Sequence, residues 1–126
     1  MTLTKRDLPR LIMGTLYFIL GINHFANPDF YLGVMPDYIP AHALLVALSG
    51  IAEILLGAGV CFQPTRRLSA WLIIAMLLAF MPVHIDMIVR HADKFPDLPL
   101  LAVWLRIPLQ ALLIYWAWRY TRPTTT

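Results

Sequence analysis

The chain has 126 residues, of which 60% are hydrophobic and only 13% are charged. A soluble domain typically has about 45–50% apolar and about 25% charged residues, so this composition argues against a soluble globular protein. The net charge of +3 comes from basic residues near segment ends, so no nucleic-acid partner is expected. A single cysteine, Cys61, excludes an intramolecular disulfide.

The first hydrophobic segment, residues 10–26, ends in the polar pair Asn23-His24. We predict a retained helix and not a signal peptide, because no small-residue cleavage site follows the apolar run. One face of this helix carries residues spaced by three, four and three positions: Gly14, Tyr17, Gly21 and His24. Glycines on such a face allow a neighbouring helix to approach closely.

The next stretch, Ala26 to Ala41, contains three prolines, which disfavour a long helix. Its aromatic residues Phe30, Tyr31 and Tyr38 are of the types that settle at a membrane–water interface. We expect this Pro-rich loop to lie on the membrane surface as a cap or a short interfacial helix.

Three further spans are predicted at residues 42–62, 68–89 and 100–118, since about 20 helical residues cross a hydrocarbon layer of about 30 Å. The intervening Gln63–Arg67 is predicted to be a tight basic turn. Pro82 removes a helical hydrogen bond and predicts a kink in the third span.

Of the ten Lys and Arg residues, seven lie at the ends that include both termini and three lie towards the other side. The excess of positive charge predicts that both termini are cytoplasmic. The sequence therefore predicts one all-α domain, residues 1–126, folded as an integral membrane four-helix bundle. The expected location is a bacterial inner membrane, with the Pro-rich loop between helices 1 and 2 outside.

Each predicted span contributes polar residues that are costly in a membrane and are therefore usually paired or functional. With the topology above, they fall in the outer half of the bundle: His24, Glu53, His84, Arg106 and Gln110. We predict that these five line a ligand-binding pocket and that Glu53 and Arg106 form a structural ion pair. A simple packing role for either histidine remains an alternative. No catalytic residue is assigned.

A metal site is a weaker alternative. His24, His84 and Glu53 would make a set of two histidines and one carboxylate, but no short-range ligand spacing supports it. We therefore predict no bound metal.

Several segments resemble the DoxX family of small four-helix bacterial membrane proteins. They are GINHFANPDFY from Gly21, SGIAEILLGAGV from Ser49, PTRR from Pro64 and LRIPLQALLIYWAW from Leu105. The polar positions typical of that family fall here on His24, Glu53, Arg106 and Gln110, and His84 stands where members commonly have Asn or His after a proline. The resemblance implies a membrane redox role, with a quinone as cofactor in one branch; more distant relatives act as chaperones or bind sterol-like ligands.

The leading functional hypothesis is an accessory redox subunit that binds a quinone-type or other small amphipathic ligand in an outward-facing polar pocket. An alternative is a non-enzymatic membrane scaffold or chaperone, and a weaker one is a metal-handling or transport protein. The expected partners are the lipid bilayer and either a membrane or periplasmic redox protein or a second copy of the chain. No self-contained catalytic motif is present in the sequence.

Overall fold

The computed structural model describes residues 5–122, and all regular structure within that range is helical. The helices are α1 Leu8–Ala26, α2 Pro28–Val34, α3 His42–Cys61, α4 Gln63–Ala79, α5 Met81–Val89, α6 His91–Lys94 and α7 Leu100–Trp118. Three stretches are long and apolar enough to cross a membrane: His42–Cys61, Gln63–Val89 and Leu100–Trp118. The predictions of an all-α chain and of membrane-spanning helices are confirmed to this extent.

Helices α1 and α3 pack backbone against backbone at two glycine pairs. A methyl group added to Gly21 would lie 2.7 Å from the carbonyl oxygen of Gly50. A methyl group on Gly57 would lie 2.6 Å from the carbonyl oxygen of Gly14. The glycines of each helix are seven residues apart, so the antiparallel helices meet twice at the same spacing. The predicted close approach along the glycine face of α1 is confirmed, and it brings His24 onto α3.

The predicted basic turn at Gln63–Arg67 is wrong. These residues form the first turns of α4, and Phe62 alone separates α4 from α3. Pro64 stands in the first turn, where its missing N–H costs little because the first amides of a helix lack intrahelical acceptors. The helix therefore starts five residues earlier than expected.

The third predicted span is divided at Phe80, two residues before Pro82, into α4 and α5. The amide of Phe80 donates to the carbonyl oxygens of Met76 and Leu77, and the amide of Val83 donates to that of Phe80. This break confirms the expected disturbance near Pro82. It also leaves the carbonyl end of α4 open to a side-chain donor from another helix.

Two arginines are buried near the junction between α3 and α4. From the sequence alone they would be interpreted only as charges that flank the helices. Arg10 donates to the carbonyl oxygen of Val60 at 2.9 Å and to that of Cys61, at the C-terminus of α3. Arg66 donates to the carbonyl oxygen of Tyr120 at 2.8 Å, just after α7. Terminal carbonyls of a helix lack intrahelical donors, so both arginines act as caps.

The opposite end is covered by the segment between α1 and α3, predicted as a Pro-rich loop. It contains the short helix α2, and residues 35–41 follow it without regular helix. Helix α2 contacts both α1 and α3. Meanwhile α7 packs against α4 and α5. The space between the α1/α3 pair and the α5/α7 pair holds the candidate site.

Candidate functional site

A cavity of about 500 Å³ lies between the two helix pairs, beneath α2. Its walls are mainly apolar, with contributions from Val83, Met87 and Leu109. The cavity lining includes all five polar residues predicted from the sequence, His24, Glu53, His84, Arg106 and Gln110, together with Tyr17, Tyr31 and Ser49. The structure therefore brings the predicted set to a single cavity.

His24 projects from the last turns of α1 and is 6% exposed. Its Nδ1 lies 3.1 Å from the carbonyl oxygen of Val46, and its Nε2 lies 3.0 Å from Oε2 of Glu53. Tyr31 of α2 stacks on the imidazole with ring centroids 3.9 Å apart. The ring is thus fixed by α3 on its edges and by α2 on its face.

Glu53 pairs with His24 and not with Arg106. Among the described residues, the carboxylate of Glu53 has His24 as its ion-pair partner, and the predicted Glu53–Arg106 pair is replaced. The reason is helix order: the glycine pairs hold α1 directly against α3, whereas α7 packs on α4 and α5 across the cavity. Even so, no described residue gives Glu53 Oε2 a hydrogen bond of regular geometry.

The contacts of His24 restrict where its protons lie. A carbonyl oxygen only accepts, so Nδ1 must carry a hydrogen and donate it to Val46. If Nε2 and a carboxylate oxygen at 3.0 Å were both bare, two acceptors would face each other. One of the two atoms, Nε2 or Oε2, therefore carries a proton. The pair is an imidazolium with a carboxylate or a neutral imidazole with a carboxylic acid, and in both cases its net charge is zero.

The other wall of the cavity carries His84 on α5 with Arg106 and Gln110 on α7. His84 lies close to both α7 residues, and its Nδ1 is buried without a hydrogen-bond partner among the described residues. Gln110, which is 4% exposed, donates from Nε2 to the carbonyl oxygen of Leu77 at 2.6 Å. Gln110 therefore caps the carbonyl end of α4 at the Phe80 break.

Tyr17 is a buried site residue that the sequence-based prediction missed. Its side chain is 2% exposed, it lines the cavity, and its hydroxyl has no hydrogen-bond partner among the described residues. It lies close enough to Glu53 for an electrostatic interaction. The signal was available, because Tyr17 lies on the same predicted face as Gly21 and His24, two turns before His24.

The comparison with known families gives one result. A model of the family described as "Domain of unknown function (DUF8561)" matches residues 13–121. The chain belongs to this family. No curated protein and no solved structure matches the chain. The matched range includes every residue that lines the cavity.

An ionic cluster ties residues 35–41 to the segment that follows α5. Asp37 accepts from Arg90 at 2.8 Å and from Lys94 at 3.2 Å. Arg90 also forms an ion pair with Asp86, four residues earlier, at 3.1 Å. The hydrogen bond from Lys94, with added attraction from Lys94 and Arg90, holds the pKa of the Asp37 carboxyl below its usual value. This cluster therefore holds residues 35–41 in place over the cavity.

Helix α2 is also hydrogen-bonded to α1. The side-chain amide of Asn23 donates to the hydroxyl of Tyr31 at 2.6 Å, and Asn27 donates to Asn23 at 2.6 Å. Asn23 therefore orients the aromatic ring that stacks on His24.

Within residues 5–122, no group of three or more His, Cys, Asp or Glu side chains is arranged to hold a metal ion. His24 and Glu53 are together, but His84 belongs to the opposite wall. The chemistry available at the cavity is hydrogen bonding, charge and proton exchange.

Proposed function

We propose that this chain is an integral membrane protein that binds a small amphipathic ligand of the quinone type, and that it serves as an accessory subunit of a membrane redox system. In this proposal the chain forms a four-helix transmembrane bundle of a bacterial inner membrane with both termini in the cytoplasm. The cavity then opens towards the outer side. We also propose, from the sequence resemblance described above, that the chain is related to the DoxX family.

The observation that carries the proposal is a pair of buried polar atoms without partners in an apolar cavity. Tyr17 Oη and His84 Nδ1 are buried without a hydrogen-bond partner among the described residues, and both side chains line the cavity. A buried polar atom without a hydrogen bond lowers the stability of the fold by about 1–3 kcal/mol. Such atoms are therefore rare unless a ligand or a water molecule forms a hydrogen bond with them. An apolar wall with a few convergent polar groups is the usual form of a small-molecule site.

The arrangement of polar groups on two walls favours a ligand with polar atoms at opposite ends of a flat ring. One wall offers Tyr17 and the His24–Glu53 pair, and the other offers His84 and Arg106. Within the described residues, no hydrogen bond or ion pair joins the two walls. A quinone ring has two carbonyl oxygens on opposite sides, each of which accepts a hydrogen bond.

The His24–Glu53 pair supplies a second argument, because it holds a proton beside the cavity. A quinone supplies reversible electron transfer that is coupled to protons. For this chemistry the chain would contribute a proton donor and acceptor at Glu53, with the hydroxyl of Tyr17 close to it. The Nδ1–Val46 hydrogen bond keeps the imidazole in place whichever atom of the pair holds the proton.

The proposed four-span arrangement is supported by three helices of membrane-spanning length and by the apolar surface of α1. Outside its buried face, α1 exposes Ile12, Ile19 and Ile22, which suits contact with lipid. Arg66 and Arg67 lie at the end opposite to Lys94, and the excess of basic residues at that end favours a cytoplasmic side.

Binding of decylubiquinone to the purified protein in lipid nanodiscs, measured by calorimetry, tests the proposal. Val83 lines the cavity, so Val83→Trp should fill it and abolish binding. Ile85 is on the same helix but 51% exposed, so Ile85→Trp should leave binding unchanged. No binding by the unaltered protein, or equal loss in both variants, would contradict the proposed pocket and favour the scaffold alternative.

A further inference from the structure

Arg106 is a cation at the cavity without an acceptor in the described part of the chain. It is half-buried on α7 and lines the cavity beside His84. The buried arginines of the chain differ, since Arg10 and Arg66 both donate to helix-end carbonyl oxygens. A guanidinium has five N–H donors and keeps its charge, so in an apolar setting it needs acceptors from elsewhere.

The carboxylate at the cavity does not neutralise Arg106. Glu53 is the acidic residue among the cavity-lining residues, and its charge is matched by the proton that it shares with His24. The net charge of the His24–Glu53 pair is zero wherever that proton lies. The positive charge of Arg106 is therefore uncompensated by the described walls of the cavity.

We infer that the polar head of the ligand is an anion, a carboxylate or an ionised acidic hydroxyl on an amphipathic molecule, and that Arg106 binds it. This inference rests on the proposed function, because it specifies the ligand of the same cavity. His84 lies beside Arg106 with its Nδ1 unpartnered and supplies a second polar contact to the head. The apolar part of the ligand lies along Val83, Met87 and Leu109.

The test compares ligands that differ only in charge. A long-chain alkyl hydroxynaphthoquinone, which is anionic at neutral pH, is paired with its methyl ether, which is neutral. Dodecanoate is paired with dodecanol to distinguish a fatty carboxylate from an acidic quinone. A charge-assisted hydrogen bond with Arg106 predicts that at least one anion binds about tenfold or more tightly than its neutral counterpart.

Three variants locate the charge that causes this preference. Arg106→Gln should remove it, and Arg106→Lys should keep most of it because the positive charge remains. Arg119→Gln is the control, since it makes the same change at an exposed position just beyond the far end of α7. The unaltered protein gives the charge preference even if Arg106→Gln fails to fold.

The outcomes separate this inference from the proposed function. If neutral and anionic ligands bind equally well, or if the preference survives Arg106→Gln, the anionic head is wrong while the amphipathic pocket stands. If no amphipathic ligand binds, charged or neutral, the proposed function and this inference both fail.

Discussion

His24 Nε2 lies 3.0 Å from Glu53 Oε2, and this contact joins the end of α1 to the middle of α3. It depends on the glycine pair Gly21 and Gly50, which removes side chains between the two backbones. The imidazole is also fixed by the carbonyl oxygen of Val46 and by the ring of Tyr31. The site therefore has a charge-neutral wall facing a cationic one.

Removing one member of the His24–Glu53 pair should destabilise the fold. Glu53→Ala should lower the free energy of unfolding by about 3–5 kcal/mol, because it leaves the other group buried without its partner. His24→Ala should have a similar effect, and the double variant should cost less than the sum. Reversible unfolding in mixed micelles measures all three. Strictly additive losses would contradict a direct coupling between these side chains.

Adding a methyl group at the α1–α3 contact should separate the helices. Gly21→Ala would bring a carbon within 2.8 Å of the backbone nitrogen of Ile54, so the backbone must move. We expect a loss of about 1–3 kcal/mol in unfolding free energy from overpacking.

Gly33→Ala is the matched control for that change, since nothing lies within 4 Å of its added carbon. It should be neutral or slightly stabilising, because alanine favours helix over glycine. Equal effects at the two positions would mean that the close helix contact is not maintained in the membrane.

Tyr17 should influence binding more than folding. Tyr17→Phe removes a buried hydroxyl that has no partner among the described residues, so the free energy of unfolding should stay the same or rise. Loss of one hydrogen bond to the ligand should weaken decylubiquinone binding by roughly 5- to 10-fold. Calorimetry and unfolding on the same preparation measure both quantities. A variant that is destabilised yet binds normally would assign Tyr17 to packing alone.

The ionic cluster around Asp37 should control the mobility of residues 35–41. The pKa of the Asp37 carboxyl is lowered in the folded state. The contribution of Asp37 to stability is therefore present above the usual aspartate pKa of about 4 and is lost as the pH falls through the lower pKa of the folded state. Asp37→Asn should remove the same contacts at neutral pH. High salt should weaken them, because Asp37 is largely exposed.

Amide hydrogen exchange of residues 35–41 measures this effect. We expect faster exchange in Asp37→Asn and, for the unaltered protein, at low pH after correction for the intrinsic rate. Exchange that is insensitive to salt and to the substitution would show that the cluster does not hold residues 35–41 in place.

Much of the architecture follows from the sequence, because apolar run length and proline positions act locally. Helix α7 begins and ends where hydropathy predicts it, and the break near Pro82 follows from the missing amide. The convergence of His24, Glu53, His84, Arg106 and Gln110 on one cavity also follows from a simple rule: polar side chains avoid apolar surroundings and therefore face each other.

The pairing within that cavity did not follow from the sequence. A preference for Arg over His as a carboxylate partner favoured Arg106, but the choice depends on which helix lies beside α3. That order is set by the two glycine pairs between α1 and α3. The two members of each pair are far apart in the sequence, so their contact is not visible in a local pattern. Hydropathy likewise treated Arg10 and Arg66 as solvent-facing charges, whereas helix-end carbonyls draw both into the protein.

A structure of the protein with decylubiquinone bound is the most direct test of the central claim. We expect the ring to lie between the α1/α3 and α5/α7 pairs, with one ligand oxygen within about 3.2 Å of Tyr17 Oη. Ligand density on the lipid-facing surface with only water in the cavity would contradict it.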